Sequence, residues 1–560
     1  MSLLPKTSQR SEKFRCLTTL AIAALILFSS LGTCGLIEPD EGRYAEIGRE
    51  MAAGGDWLIP HLNGNPHFQK PPMIYWATAV SFKFFGVNEA AARVPSALAA
   101  FGIVALTFAI GRVLFGITTA QITALVLLSC FEFFVLARTI TPDMLMAFWI
   151  TASIACLVFY VKRGQQWYFQ IGFFAAMGLG FMTKGPIALI VPISAAIFWQ
   201  RAARRAGEPF HLRWAIGLPF TIAIALSWFV IASVRHPALF DYFWRYELVE
   251  RFASKTHGRS KPFWFFVPVL FAGLIPWSFS LPPLLRKLWT QRRASGIWPP
   301  TYWLLLGWVV PPFLILSVSG SKLPTYILPL FPSLTIALAL WWQGKSKLRS
   351  WQKRLHGPAF FVFVAVASAQ IANALFHPET LTFSPVMQAI VVVPFLIIMV
   401  CLAIWATRKP ESPVDFVFMN AFGAVLIWNL ILLNSDALNP WLRQQASVRP
   451  LAQKLVELKA DRSPLFVWQA RAFGICFYLK RLVYCTESES DLVLPQDAAQ
   501  ASRLLKTPDE CSRLAPPGQP VYGLVRSGTF AEIFSPQGWK QIQRAGDFVL
   551  IERGAGAGVR

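Results

Sequence analysis

The segment Glu38-Pro39-Asp40-Glu41-Gly42-Arg43-Tyr44 gathers three carboxylates and a guanidinium directly after an apolar run. A carboxylate at a half-desolvated boundary can act as a general base or grip a cationic group, with a neighbouring arginine tuning it. Asp40 is therefore the candidate for the reacting centre, with Glu38, Glu41, Arg43 and Tyr44 as substrate contacts. The competing structural account makes Asp40 a helix N-cap with Glu41 in the first turn. Further on, Phe68-Gln69-Lys70-Pro71-Pro72 stiffens the backbone behind one lysine suited to an anion. Its bland alternative is a snorkelling interfacial lysine.

Four more clusters share this character. Thr141-Pro142-Asp143 offers an acid that could equally cap a helix, and Thr183-Lys184-Gly185-Pro186 a lysine that could simply sit in a tight turn. Ser321-Lys322-Leu323-Pro324-Thr325-Tyr326 places a lysine near a tyrosine, and Glu250-Arg251-Phe252, His257 and Arg259 precede the aromatic run Pro262-Phe263-Trp264-Phe265-Phe266. Gathered on one face, Lys70, Lys184, Arg259 and Lys322 describe a phosphate site, since arginine meets phosphate bidentately and lysine as a point charge. No Walker loop, glycine-rich dinucleotide fingerprint or zinc-spaced His/Cys cluster occurs, which disfavours soluble nucleotide donors. No cofactor is identified from the sequence, and a divalent metal stays undetermined.

The elements that must position these groups are membrane spans. The 560 residues are 55% hydrophobic and 14% charged, with a mean hydropathy of +0.48, more apolar surface than one soluble core needs. The net charge of +23 comes from short basic clusters between apolar runs, which reads as membrane topology and contact with anionic lipids rather than nucleic-acid binding. Lys6, Arg10, Lys13 and Arg15 precede the first run, residues 16–36, and place the N-terminus in the cytoplasm. A cleaved signal peptide is the alternative, disfavoured by the spans that follow. Further runs near 90–111, 117–137, 142–161, 167–183, 186–200, 214–234, 263–285, 301–318, 325–342, 358–375, 386–407 and 414–433 bring the count to thirteen.

Charge supports this parity. Arg112, Lys162 with Arg163, the arginines at 201, 204 and 205, and Arg408 with Lys409 fall on the N-terminal side, whereas most acids fall opposite. Two long external loops result, 37–89 and 235–262. In the first, Ile47, Met51 and Leu58 alternate with Arg49, Glu50 and Asp56, as in a short helix lying in the headgroups. The spans make residues 1–433 one transmembrane domain. Residues 434–560 form a small soluble α/β domain, external by parity, with strands at 464–468, 482–485, 521–525 and 548–551. Cys16, Cys130, Cys156 and Cys401 lie in or beside apolar runs, while Cys476, Cys485 and Cys511 lie in the tail, where an oxidising compartment would allow one bridged pair.

Taken together, Pro39 to Glu46, Lys70-Pro71, Thr141-Pro142-Asp143, Thr183-Lys184-Gly185, Glu250-Arg251-Phe252, Pro262-Phe263-Trp264 and Lys322 to Pro329 resemble a known family. Over residues 15–430 the chain is similar to the C-type integral membrane glycosyltransferases related to dolichyl-phosphate-mannose protein mannosyltransferases. The likeness is closest to bacterial transferases that add 4-amino-4-deoxy-L-arabinose to lipid A. The resemblance implies thirteen transmembrane helices, a periplasmic C-terminal domain, residence in the inner membrane and an undecaprenyl-phosphate sugar as donor. It also implies lipid A or another envelope acceptor and, through lipopolysaccharide modification, polymyxin resistance.

In that setting Asp40 and Asp143 are the catalytic carboxylates, and Lys70, Arg259, Lys322 and Lys184 bind the donor phosphate. Gln69, His257 and Tyr326 join Glu38, Glu41, Arg43 and Tyr44 as substrate contacts. One departure stands out: Gln69 occupies the place before the Lys-Pro lysine where the aminoarabinose transferases usually carry Glu. Another lipid-linked sugar, or a protein or glycan hydroxyl as acceptor, is thus a competing reading. So are a flippase or transporter, which would place ionisable groups near the bilayer midplane, and a non-catalytic sensor. Among the span acids Glu132 is the exception to the external clustering, and it lies near the outer end of its span.

Overall fold

Caps and prolines mark where two of the long apolar runs begin. Asn88 accepts a hydrogen bond from the Ala91 N–H and starts a helix at Glu89. Thr141 accepts one from the Asp143 N–H, with Pro142 in the first helical turn. Both are favourable N-terminal arrangements, because they satisfy backbone donors that the helix leaves unpaired. The computed structural model describes residues 6–241, 261–295, 298–345, 413–433, 447–486, 501–514 and 519–554. Glu250-Arg251-Phe252, His257, Arg259, Cys401 and the spans expected at 358–375 and 386–407 lie outside the described residues.

The chain runs from α1 (Lys6–Phe28) to α2 (Asp40–Ala52), a short hairpin of β1 (His61–Leu62) and β2 (Asn65–Pro66), and α3 (Met73–Phe85). The bundle continues with α4 (Glu89–Phe115), α5 (Ile117–Ser129), α6 (Phe131–Leu136), α7 (Pro142–Lys162), α8 (Trp167–Lys184), α9 (Ile187–Arg205) and α10 (Trp214–Arg235). Helices over Phe266–Gly273, Leu281–Ser295, Pro300–Val318, Phe331–Gln343 and Pro413–Leu433 follow. Among the described residues, six helices are long and apolar enough to cross a membrane, and a seventh span results if the pair bent by 112° around residues 274–277 counts as one.

The helix α2 departs from the expectation of a headgroup helix. Glu41, Glu46, Ile47 and Met51 are all buried, because the charges find partners inside the protein. Glu46 accepts two hydrogen bonds from Arg49, both at 2.7 Å. The Glu41 carboxylate accepts from Arg93 of α4 at 2.9 and 2.7 Å, from the Ile37 N–H at 3.0 Å and from the Ile140 N–H at 2.9 Å. Arg93 spends its remaining donors on the carbonyls of Leu31, Cys34 and Gly35. Breaking a buried pair leaves an uncompensated charge, so Arg93→Met and Glu41→Ala are each expected to cost about 3–5 kcal/mol of stability. Thermal melting checks this, with the double variant losing less than the sum of the two.

Beyond residue 447 a six-stranded sheet forms in the order β5-β4-β3-β6-β8-β7, from β3 (Leu465–Trp468), β4 (Tyr484–Thr486), β5 (Leu504–Leu505), β6 (Val521–Arg526), β7 (Lys540–Ala545) and β8 (Phe548–Arg553). The four expected strands are β3, β4, β6 and β8. The edge strands β5 and β7 were not expected: β5 has two residues, and β7 reads Lys-Gln-Ile-Gln-Arg-Ala, too polar to announce itself. Cys476, Cys485 and Cys511 form no disulfide with one another. Cys476 and Cys511 belong to different apolar clusters of this α/β unit, which keeps them apart.

The sheet unit docks onto the end of the bundle that carries α2 and the β1–β2 hairpin. Phe473 and Phe477 enter the main helical core. Asn63 in the hairpin turn donates to the Val483 carbonyl at 2.8 Å and accepts from its N–H at 2.9 Å, as a strand neighbour would. Arg449 faces Glu89 at the start of α4, 3.4 Å away.

Candidate active site

Pro71 and Pro72 end the extended stretch after β2 and start α3, which fixes Gln69 and Lys70 beside the C-terminus of α8 and the turn before Tyr326. These segments close around a cavity of about 320 Å³ lined by Gln69, Lys70, Lys184, Ser319, Ser321 and Tyr326. Its remaining walls are largely apolar, from Met146, Phe181, Ile190, Leu226, Phe229 and Leu316. A cationic rim above a hydrocarbon-like wall suits an amphiphile with an anionic head.

Two polar chains reach this rim. In the first, Arg43 donates to Asp40 at 2.5 Å and to Gln69 at 2.9 Å, and its guanidinium lies 5.4 Å from the Tyr44 ring. The N-cap position of α2 is Pro39, and no side chain caps it, so Asp40 does not serve as the cap. Its side chain is 67% exposed, open to a substrate in the first turn, where the helix dipole favours an anion. In the second chain, Lys184 is ion-paired with Asp143 and lies 4.7 Å from the Tyr326 ring. Asp143 also accepts from the Thr141 hydroxyl at 2.9 Å. An acid opening α7 and a lysine closing α8 complement the two helix dipoles as well as each other.

Tyr44 sits between the chains. Burial first, then the nearby carboxylates of Asp40 and Asp143, push its phenol above the ordinary range against the opposing Arg43, so it stays protonated.

A sequence profile of the dolichyl-phosphate-mannose-protein mannosyltransferases matches residues 69–230. An undecaprenyl phosphate-α-4-amino-4-deoxy-L-arabinose arabinosyl transferase from Edwardsiella ictaluri is 30% identical over 485 residues, covering 86% of this chain and 85% of that protein. The chain belongs to this arabinosyl transferase family. A second member, from Sodalis glossinidius, is 36% identical over 329 residues, 57% of this chain and 58% of that protein. The fold agrees. ArnT from Cupriavidus metallidurans bound to undecaprenyl phosphate superimposes with a TM-score of 0.74 at 25% identity, over 97% of this chain and 99% of that one. This is the C-type glycosyltransferase fold in a polytopic membrane protein.

Within this arabinosyl transferase the expected site residues divide. Gln69, Lys70, Lys184 and Tyr326 line one cavity, and Asp40, Arg43 and Asp143 are linked to it by hydrogen bonds. Glu41 and Glu38 are drawn elsewhere, Glu41 to Arg93 and Glu38 to the Gly474 N–H. Lys322 is 5% exposed and donates to the carbonyls of Ser319 at 2.6 Å and Lys261 at 3.0 Å. It therefore ties the turn after Val318 to the end of the second long loop.

One residue beside the site escaped the sequence reading. His67 is fully buried, edge-on to Tyr75, and neither ring nitrogen has a hydrogen-bond partner among the described residues. Burial, then the Arg43 and Lys70 charges, hold its pKa well below the ordinary value, so the imidazole is neutral. Nothing in its spacing announces this, because its surroundings assemble only in the fold.

Proposed function

We propose that this protein transfers 4-amino-4-deoxy-L-arabinose from undecaprenyl phosphate to a lipid A phosphate at the periplasmic face of the inner membrane. The observation that carries the proposal is the cavity with Lys70, Lys184 and Tyr326 at its polar rim and span side chains below. The rim meets the donor phosphate, and the apolar walls take the first part of the polyprenyl chain. Family membership supports the sugar and the acceptor. The basic connections on the N-terminal side support a cytoplasmic N-terminus, thirteen spans in residues 1–433 and a periplasmic domain in residues 434–560.

A lipid A phosphate oxygen attacks the anomeric carbon, a new carbon–oxygen bond forms, and the bond from that carbon to the donor phosphate oxygen breaks. The bonding pair leaves with undecaprenyl phosphate, whose phosphate gains a negative charge. Lys70 and Lys184 stabilise that charge in a low-dielectric site, with Arg259 as a further cation from the second loop. The acceptor is already an anion and needs little help from a base. Asp40 accordingly orients the sugar, whose 4-ammonium is the cationic group a carboxylate meets, and Asp143 holds Lys184 in place. Gln69 keeps an oxygen on Arg43 without adding charge.

Purified protein in detergent, given undecaprenyl-phosphate aminoarabinose and lipid A without any ion gradient, should release undecaprenyl phosphate and form modified lipid A. A flippase would turn over neither lipid under those conditions.

A further inference from the structure

Glu38 stands two residues before Asp40, yet its carboxyl is directed at the C-terminal sheet unit. Its Oε1 accepts the Gly474 N–H at 2.7 Å, and its Oε2 is buried with no hydrogen-bond partner among the described residues. Both walls of this niche are glycine, and a side chain on either would displace the Glu38 carboxyl. A Cβ on Gly474 would come within 2.1 Å of Oε1, and one on Gly42 within 2.4 Å of Oε2. The short helix Gly474–Leu479 makes two more contacts with this end of the bundle. Its Tyr478 hydroxyl accepts the Leu36 N–H at 2.8 Å, and its Phe477 ring lies 5.9 Å from Phe82 of α3. The segment that carries Asp40 and Arg43 is therefore gripped twice, by Glu41 on Arg93 from within the bundle and by Leu36 and Glu38 from the C-terminal unit.

We infer that Glu38 is a positioning residue of the transferase, through which the C-terminal unit fixes the geometry of Asp40 and Arg43 from outside the cavity. This rests on the placement of Asp40 at the reacting centre. The groups facing the Glu38 carboxyl are Asp40, Glu41 and Arg43 on its own segment and the Gly474 N–H from the C-terminal unit. Burial raises the carboxyl's pKa from the ordinary range to about 8, with the Gly474 hydrogen bond opposing and Glu41 adding to it. At neutral pH the contact is thus made by the uncharged acid. Its stabilising contribution is complete below the ordinary carboxyl pKa and is lost as pH rises towards about 8. Above that pH a carboxylate sits in the niche next to Asp40 and Glu41.

Glutamine reproduces the neutral acceptor, and alanine removes it. Glu38→Ala is expected to lower kcat by about 10²-fold with KM for undecaprenyl-phosphate aminoarabinose changed less than about twofold, whereas Glu38→Gln stays within about twofold of the parent. The parental rate should decline as pH passes about 8, and the Glu38→Gln rate should not decline there. Gly474→Ala should impair kcat as Glu38→Ala does, and adding it to Glu38→Ala should cost little more, because the clash is gone. The inference is overturned if Glu38→Gln falls as far as Glu38→Ala, if the parental and Glu38→Gln pH profiles coincide, or if Glu38→Ala lowers only the melting temperature. Should Asp40→Asn prove fully active while the Glu38 series behaves as described, positioning by Glu38 stands and the Asp40 assignment falls.

Discussion

Lys184→Met is expected to reduce sugar transfer by about 10³-fold and to cost about 3–5 kcal/mol of stability. Both effects follow from one ion pair. The lysine side chain is 14% exposed and that of Asp143 only 5%, so removing the ammonium strands a buried carboxylate and takes a cation from the rim. The two consequences can be separated. In Asp143→Asn/Lys184→Met the stranded charge is gone, so most of the stability should return while transfer stays low. Melting curves and initial rates on the single and double variants check this. Parental rates in the double variant would remove Lys184 from phosphate stabilisation and leave it a structural partner only.

Asp40→Asn should behave in the opposite way, with no cost to the fold and a large cost to turnover. The side chain is 67% exposed and bonded to Arg43 alone among the described contacts, and substitutions in such positions usually change stability by less than about 0.5 kcal/mol. Asparagine can keep an oxygen on Arg43 but cannot meet an ammonium with charge. A loss of about 10²-fold in kcat is expected from misorientation of the sugar, measured with purified, normally melting protein. An Asp40→Asn protein that modifies lipid A at the parental rate would sink the assignment.

Which features were legible in the sequence follows from how far apart the interacting residues lie. The spans of α4, α7 and α10 announce themselves as local apolar runs with caps or prolines nearby. The place of Lys70 and Lys184 at helix breaks was legible because prolines or a glycine stand next to each lysine. The burial of α2 was not, because Glu41 meets Arg93 across 52 residues and its helical spacing equally fits a surface helix. The dock between Asn63 and Val483 spans 420 residues and leaves no periodic trace. Lys322 looked like its fellow lysines, but the carbonyls of Ser319 and Lys261 that take its donors converge only in the folded chain. Glu38 was read with its acidic neighbours, although the group that claims it, the Gly474 N–H, lies 436 residues away.

The central claim is that this site moves aminoarabinose from undecaprenyl phosphate to lipid A. Mass spectrometry of lipid A from cells with and without the protein tests it most directly. The expected result is a species heavier by one 4-amino-4-deoxypentose residue on a phosphate, present only when the protein is present and missing with Lys184→Met. Unchanged lipid A, or an increment of a different sugar, would contradict it.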